Sequence, residues 1–458
     1  MPEVPKPTDS PDPSAGPGPQ HAPRGLRATG FPPGSLPVAV TSGIAAGAAG
    51  ALFLWALDAV TRWRWTSPGW LLLLPAAGVA MRMAYRAWGR GSDRGTGLVL
   101  EAVRDPRVEV PWVLAPMVLA ATLLSHLCGA PVGREGTAVQ MGASLGAAIR
   151  RRFLPGTGDP SVALLAGMAG GFGAVFGTPW AGALYAIELP VSGRFSWAHA
   201  VPCLVAAWCG HATCSLLGAD HTAYPAWADR GPGDAAALGR WILAGVVSGL
   251  AARAFVASLR GWTLAYGRIP RLGGILPGGV APVVAASGIV IGCTALLGTD
   301  AYLGLGVTGR LPSDPSIVRS FEPGGVTAWS WFWKLLLTTA VLAGGFKGGE
   351  VTPLFFIGAA LGQTVATLGG WPVGEFAALG FVAVFAAAGH TPWACAVLGC
   401  ELFGPGMLFP GLVAVTVADL VATGCGLHAH RMRSVLVDRW LGHGIPAGGS
   451  RRGPGGDG

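Results

Sequence analysis

Charged side chains are scarce in this chain. Asp, Glu, Lys and Arg make up 12% of its 458 residues, where a water-facing domain carries about 25%. Too little polar surface remains to coat a soluble protein of this size. Enzyme signatures are missing as well. There is no HExxH zinc motif, which argues against the usual zinc hydrolases. The eight cysteines show no CxxC spacing of the metal-binding kind, and Cys128, Cys203, Cys395 and Cys400 sit in apolar runs. They read as small packing residues. No short apolar segment with a cleavage site precedes the first long apolar run, which speaks against a secretory leader.

What the chain has instead is apolar length. It is 51% hydrophobic with a mean hydropathy of +0.51. Val38–Trp63, Trp70–Ala84, Trp112–Ala130, Ala235–Leu259 and Ala328–Gly345 reach or approach the roughly 20 apolar residues that a spanning helix needs. Val162–Phe176, Ala377–Ala388 and Met407–Ala422 are shorter. Short, glycine-interrupted apolar segments in a polytopic protein predict broken helices that end inside the protein. The 74 glycines suit close helix packing in lipid, because small residues let backbones approach. The reading is an all-α polytopic membrane protein.

The net charge of +8 raises the question of nucleic acid, but its distribution points elsewhere. Arg150, Arg151 and Arg152 form one cluster, and Arg431, Arg433 and Arg439 flank the last apolar segment. Cytoplasmic loops carry an excess of Arg and Lys, so the charge reads as membrane topology, with lipid as the partner and no nucleic acid. Residues 1–35, rich in Pro, Gly and Ser, are expected to be disordered. Residues 36–438 form the membrane domain. The Gly-, Pro- and Arg-rich tail at 439–458 is too short for a folded regulatory domain.

The membrane domain repeats itself, with halves at roughly 36–235 and 236–438. Phe172–Glu188 reads FGAVFGTPWAGALYAIE, and Phe385–Glu401, 213 residues later, reads FAAAGHTPWACAVLGCE. Thr-Pro-Trp-Ala recurs in full, and Glu188 matches Glu401. Upstream, Gly133–Gly146 (GREGTAVQMGASLG) matches Gly349–Gly362 (GEVTPLFFIGAALG) at an offset of 216. Duplicated halves are a transporter signature, with the binding site where the repeats meet near the bilayer midplane.

An anion crossing a membrane must replace its hydration shell, and a full positive charge would hold it too tightly to release. Helix N-termini offer free N–H groups and a partial positive charge instead. Gly133-Arg-Glu-Gly-Thr137 is a glycine-punctuated turn expected to open a helix near Ala138. Gly345–Pro353 is a second, with Pro353 suited to a first helical turn. Gly95-Thr96-Gly97 is a third. Any one of these is an ordinary helix cap; three together, two of them repeat-related, point to an anion site. Glu135 stands between glycines at one of these helix mouths, where a carboxylate at the bilayer centre costs about 2.5–3.5 kcal/mol. Ionised, it would occupy the site as a tethered anion; protonated, it would withdraw and leave the site to the transported ion. That couples anion movement to proton movement. The competing reading is a structural ion pair with Arg134, weakened because adjacent residues on a helix do not face each other.

These motifs resemble those of the CLC family of chloride and fluoride transporters. Gly133-Arg-Glu-Gly looks like its GREGP motif, Gly349-Glu-Val-Thr-Pro353 sits where the family has GIFAP, and Gly95-Thr96-Gly97 sits where it has GSGIP. Gly170–Ala183 is similar to a further family segment, and the order agrees across nearly all of 36–438. The resemblance implies the CLC fold of two inverted-topology repeats with many tilted, broken helices. It also implies a homodimer with one pore per subunit in the plasma membrane, and no metal or cofactor. Glu135 falls on the family's gating glutamate, its proton carrier. Gly133, Arg134 and Gly136 fall in the ion-binding motif around it.

The departures narrow the resemblance. Thr137 replaces the proline of GREGP, Thr96 the serine of GSGIP, and Val99 its proline. Glu350, Val351 and Thr352 replace Ile-Phe-Ala, and Leu189 stands at the internal proton glutamate of chloride/proton exchangers. GREGT with GGEVTP resembles the CLC-F type of bacterial fluoride/proton antiporters, in which a glutamate and a threonine of the second motif help bind fluoride; here these are Glu350 and Thr352. Fluoride is small and strongly hydrated, so hydroxyl donors at Thr96 and Thr352 suit it, and Glu350 supplies a proton acceptor. The family's pore tyrosine falls on His428, which can donate a hydrogen bond and also titrate. Fluoride export in exchange for protons is the implied activity; a chloride transporter or chloride channel of the same family is the alternative. Plainer roles stand beside these. Glu350 pairs with Lys347, Thr352 caps a helix, Glu188 and Glu401 are structural, Phe346, Phe355 and Phe356 are core, and His126 and His390 fill space.

Overall fold

A computed structural model describes residues 34–156, 159–191, 197–225, 235–269, 280–424 and 426–427. His428, Arg431, Arg433, Arg439 and the segments 1–33 and 439–458 lie outside the described residues, so the expectations placed on them have no structural counterpart. Within the described residues the chain forms fifteen α-helices. The first half holds α1 (Ser35–Thr66), α2 (Leu74–Trp88), α3 (Thr96–Arg104), α4 (Leu114–Leu127), α5 (Glu135–Phe153), α6 (Pro160–Phe176), α7 (Pro179–Glu188) and α8 (Ala200–Leu216). The second holds α9 (Ala235–Gly267), α10 (Val280–Leu297), α11 (Ser330–Gly344), α12 (Val351–Gly369), α13 (Val373–Gly389), α14 (Pro392–Phe403) and α15 (Leu408–Val421).

Length sorts these helices. At 1.5 Å per residue, α1 and α9 run about 48–50 Å, longer than the roughly 30 Å hydrocarbon core, so they must tilt. α6, α7, α13 and α14 are too short to cross it. The structure keeps such ends inside protein: every residue of α6 from Ser161 to Phe176 is buried, as is α13 from Phe376 to Gly389. A helix apolar all round must be covered all round. Large apolar side chains such as Leu52, Leu250, Leu296 and Leu368 face outward, and the exposed Trp63, Trp88, Trp112, Trp197 and Trp329 all lie at or beside helix ends. Tryptophans gather there in a membrane protein because the headgroup level suits an amphipathic ring.

Local sequence explains several boundaries. Asp159 accepts from Ser161 N at 2.9 Å, Pro160 opens α6, and Gly177 closes it at φ 74°; cap, proline and left-handed glycine are the usual punctuation. The apolar run expected over 70–84 is divided: Pro68–Leu73 forms a 3-10 turn and α2 starts at Leu74. Prolines 68 and 75 lack the N–H that a continuous helix would use. α8 and α10 follow no apolar segment singled out from the sequence. Cys203, Cys214 and Cys395 are buried as free thiols, as packing residues would be.

The repeat is visible in the packing. α5 and α12 have 19 residues each, and α6 and α13 have 17. α5 presses on α6 where a Cβ on Gly142 would strike the Gly167 carbonyl; α12 presses on α13 where a Cβ on Gly358 would strike that of Gly380. The two contacts are repeat copies. The Thr-Pro-Trp-Ala segments open α7 and α14, whose early N–H groups have no intrahelical partner. Glu401, near the end of α14, accepts from Trp180 N and Ala181 N at 3.0 and 2.8 Å. Glu188, at the end of α7, accepts from Trp393 N and Ala394 N at 3.2 and 2.8 Å. Each helix caps the other, which sets them antiparallel and gives both glutamates the structural role expected of them.

Candidate functional site

The two glycine motifs meet at the centre of the protein. Gly133 N donates to Gly349 O at 2.5 Å, and Gly349 N to Gly133 O at 2.7 Å, a two-bond antiparallel bridge. These are the residues that the sequence repeat aligns with each other. Neither tolerates a side chain: a Cβ on Gly133 would lie 2.8 Å from Gly349 O and from Thr352 Oγ1, and one on Gly349 2.7 Å from Gly136 N. The bridge brings the N-terminus of α5 against that of α12, so two sets of free N–H groups and two positive dipole ends share one place.

α5 begins at Glu135, three residues before the expected Ala138, so the carboxylate belongs to the first helical turn. It is 1% exposed. Its Oε2 accepts from Thr352 N at 3.0 Å, from Arg134 N at 3.2 Å and from the Thr352 hydroxyl. Its Oε1 accepts from Arg134 Nε at 3.3 Å. The side chain thus occupies the joint helix end in the manner of a bound anion. The ion pair with Arg134 is real, contrary to the expectation from helix spacing. Arg134 is the N-cap rather than a helical residue, so the rule that neighbours diverge on a helix does not reach it. Thr352 does not cap its own helix. As the second residue of α12 it turns its hydroxyl across to Glu135 and accepts from Arg134 N at 3.3 Å. Val351 opens α12 and is buried. Gly136, the second residue of α5, lies against Gly349.

Glu350, Thr96 and Gly97 gather separately. α3 opens at Thr96, the third helix end read from the sequence. Its mouth and Glu350, the N-cap of α12, line a cavity of about 230 Å³ together with Gln140, Phe346 and Lys347. Gln140 Nε2 donates to Thr96 Oγ1 at 3.1 Å, and no side chain would be obstructed at Gly97. The Lys347 ammonium donates to Asp93 O at 2.7 Å and stands 4.8 Å over the Tyr85 ring, so its contacts run toward α2 and the turn before α3. The predicted residues therefore divide into a closed pocket of Glu135, Arg134 and Thr352 and an open cavity of Thr96, Gly97 and Glu350, with the first turn of α12 between them.

Other expectations settle by contact. Thr137 bonds the Thr122 hydroxyl at 2.7 Å, a tie between α5 and α4. His126 bonds Thr122 O at 2.8 Å within its own helix. Phe355 stacks on Phe381 at 3.9 Å and is core, whereas Phe346 lines the cavity. His390 does more than fill space, since it pairs with Asp419. Gln140 went unnoticed in the sequence although it follows Glu135 by five residues on one helix; an amide in an otherwise small and apolar run was the available signal.

The family model for voltage gated chloride channels matches residues 77–423. A chloride/fluoride channel protein of Pseudomonas syringae pv. tomato is 39% identical over 393 residues, covering 84% of each chain. The crystal structure of a CLC-type fluoride/proton antiporter superposes with a TM-score of 0.79 at 28% identity, over 86% of this chain and 96% of the other. A slow cyanobacterial chloride/proton antiporter shares the fold, with a TM-score of 0.70 at 20% identity over 90% and 98%. With two repeats of broken helices meeting at paired helix ends, this multi-pass membrane chain belongs to the voltage gated chloride channel (CLC) family of ion channels and transporters.

Proposed function

We propose that this protein exchanges fluoride for protons, exporting fluoride from the cytoplasm across the plasma membrane as a homodimer with one pore per subunit. The observation that carries the proposal is the Glu135 carboxylate seated at the joined N-termini of α5 and α12, held by Thr352 N and by the Thr352 hydroxyl. A group that binds as an anion when ionised and lets go when protonated exchanges one anion for one proton at each swing. Glu350 at the neighbouring cavity gives the proton a second carboxylate. The hydroxyls of Thr352 and Thr96 are strong, compact donors of the kind a small, strongly hydrated anion requires. Likeness to a CLC-type fluoride/proton antiporter supports the same reading.

The test is efflux from liposomes holding the purified protein, followed with fluoride, chloride and pH electrodes together. Fluoride efflux far faster than chloride, with protons moving inward in fixed ratio, is the expected result. Chloride efflux matching fluoride, or fluoride moving without protons, refutes it and leaves a chloride transporter or a channel.

A further inference from the structure

A second group of ionisable side chains is buried between α7, α14 and α15. His390 Nδ1 and Asp419 Oδ1 stand 2.6 Å apart, and each side chain is 4% exposed. Ionisable groups at such depth in a membrane protein are costly and mark pathways or relays. Packing alone does not call for this pair. The repeat counterpart of His390 is Gly177, which closes α6 at φ 74°. His390 closes α13 in the same left-handed form at φ 53°, which glycine adopts freely and most side chains resist. The second half thus sets an imidazole where the fold favours glycine. Among the described residues, the titratable groups coupled to Asp419 include Glu188 from α7 and Cys395 from α14. Glu188 is occupied by two N–H groups of α14. From α9, Arg253 donates to the carbonyls of Val421 and Thr423 at the same end of α15.

Tyr185 of α7 packs toward both groups: its ring lies 5.8 Å from that of Phe385, five residues before His390, and Phe385 lies 5.3 Å from Phe355, three residues after Thr352. It is 4% exposed, its ring stacks on Phe172 at 4.7 Å, and its hydroxyl has no hydrogen-bond partner among the described residues. Its electrostatic neighbours include Glu350, Cys395 and Glu135. Cys395 in turn neighbours Glu188 and Asp419. A phenol both donates and accepts. It can hand its proton to a carboxylate while its oxygen takes another from water, and it is unchanged at the end.

We propose that the His390–Asp419 pair is a proton-loading site for the exchange, feeding the carboxylates of the anion site by way of the Tyr185 hydroxyl. One proton leaves water at the α15 end and binds the pair. It passes through water to the Tyr185 oxygen as the phenol releases its own to Glu350 or Glu135, and no other bond changes. The inference rests on the antiport reading above, and one set of measurements separates the two. The unaltered protein, Tyr185→Phe, and the double variant His390→Gly with Asp419→Asn are placed in liposomes, with proton and fluoride flux recorded together and fluoride affinity measured by calorimetry. Both variants are expected to bind fluoride within about twofold of the unaltered protein. Proton flux per fluoride should fall about a hundredfold, the low end of what a positioned proton-transfer group contributes. If the double variant is not recovered folded, His390→Gly alone decides, since it restores the glycine of the matching turn. Coupled flux in the unaltered protein with unchanged coupling in the variants overturns the proposal alone. No proton movement in the unaltered protein overturns the antiport reading and this proposal with it.

Discussion

Replacing Glu135 by glutamine keeps the shape of the side chain and removes its charge and its proton. Four donors converge on the carboxylate: Arg134 N, Thr352 N, the Thr352 hydroxyl and Arg134 Nε. An amide has one oxygen. If that oxygen stays at the joined helix ends, the NH2 faces Arg134 Nε, donor against donor; if it flips, the NH2 faces the two Thr352 donors. A hydrogen bond to a charged group contributes about 1.5–3 kcal/mol and a neutral one about 0.5–1.5. Three bonds that lose their charge and one that is lost together weaken the hold by about 4.5–7.5 kcal/mol on those figures. Even the lower figure is more than about a thousandfold in occupancy. A free anion competing for the same N–H groups then meets a weaker rival, and its apparent affinity rises in proportion to the vacant fraction. Calorimetry of fluoride binding to the purified Glu135→Gln protein should show affinity raised by up to about a thousandfold, while proton flux in liposomes stops. Unchanged or weaker fluoride binding would refute the view of Glu135 as a tethered competitor. A variant still pumping protons in step with fluoride removes it from coupling altogether.

Other perturbations separate site from scaffold. Thr352→Ala deletes a hydroxyl that serves Glu135 rather than its own helix; fluoride efflux should fall at least tenfold while the midpoint of thermal unfolding in detergent stays within a few degrees, and wild-type efflux takes Thr352 out of the site. Glu350→Gln cannot carry a proton, so coupled flux should drop with fluoride binding retained; coupling that survives unchanged makes Glu350 structural. Glu401→Ala strips the cap from Trp180 N and Ala181 N and should cost about 1–3 kcal/mol of stability, read by thermal unfolding, with flux per folded molecule unaltered.

Features written in short windows were legible before the fold. The Thr-Pro-Trp-Ala copies and the two glycine turns announced their helix starts, since caps and prolines act over one turn of chain. Glu135 and Thr352 could be paired only through the repeat, which aligned Gly133 with Gly349 and so placed their helices together. What stayed hidden lies across the fold. His390 and Asp419 are 29 residues apart on different helices, and neither has a local pattern that names the other. Nothing in the local sequence marks Tyr185 on its apolar helix; on the proton route proposed above it acts through a hydroxyl that has no hydrogen-bond partner among the described residues. The apolar residues of α8 are interleaved with small and polar ones, which blurs its edges, whereas α10, with a mean hydropathy of 2.2 over its 18 residues, was legible from hydropathy alone. The Arg134–Glu135 pair was misjudged for a simple reason: the helix starts between them.

The Gly133–Gly349 bridge also constrains how the molecule can move. Carriers built from two inverted repeats often work by rocking one half against the other around the bound ion. Here the two halves are stitched backbone to backbone at the pivot itself, with no side chain in the seam to act as a bearing. Tilting one repeat would shear both hydrogen bonds in the buried interior, where orphaned amides are heavily penalised. The seam is therefore a weld rather than a hinge. On the exchange proposed above, changing which side the ion can reach would fall to side-chain rotation, and the cycle would be clocked by the swing of one carboxylate, not by the travel of a domain.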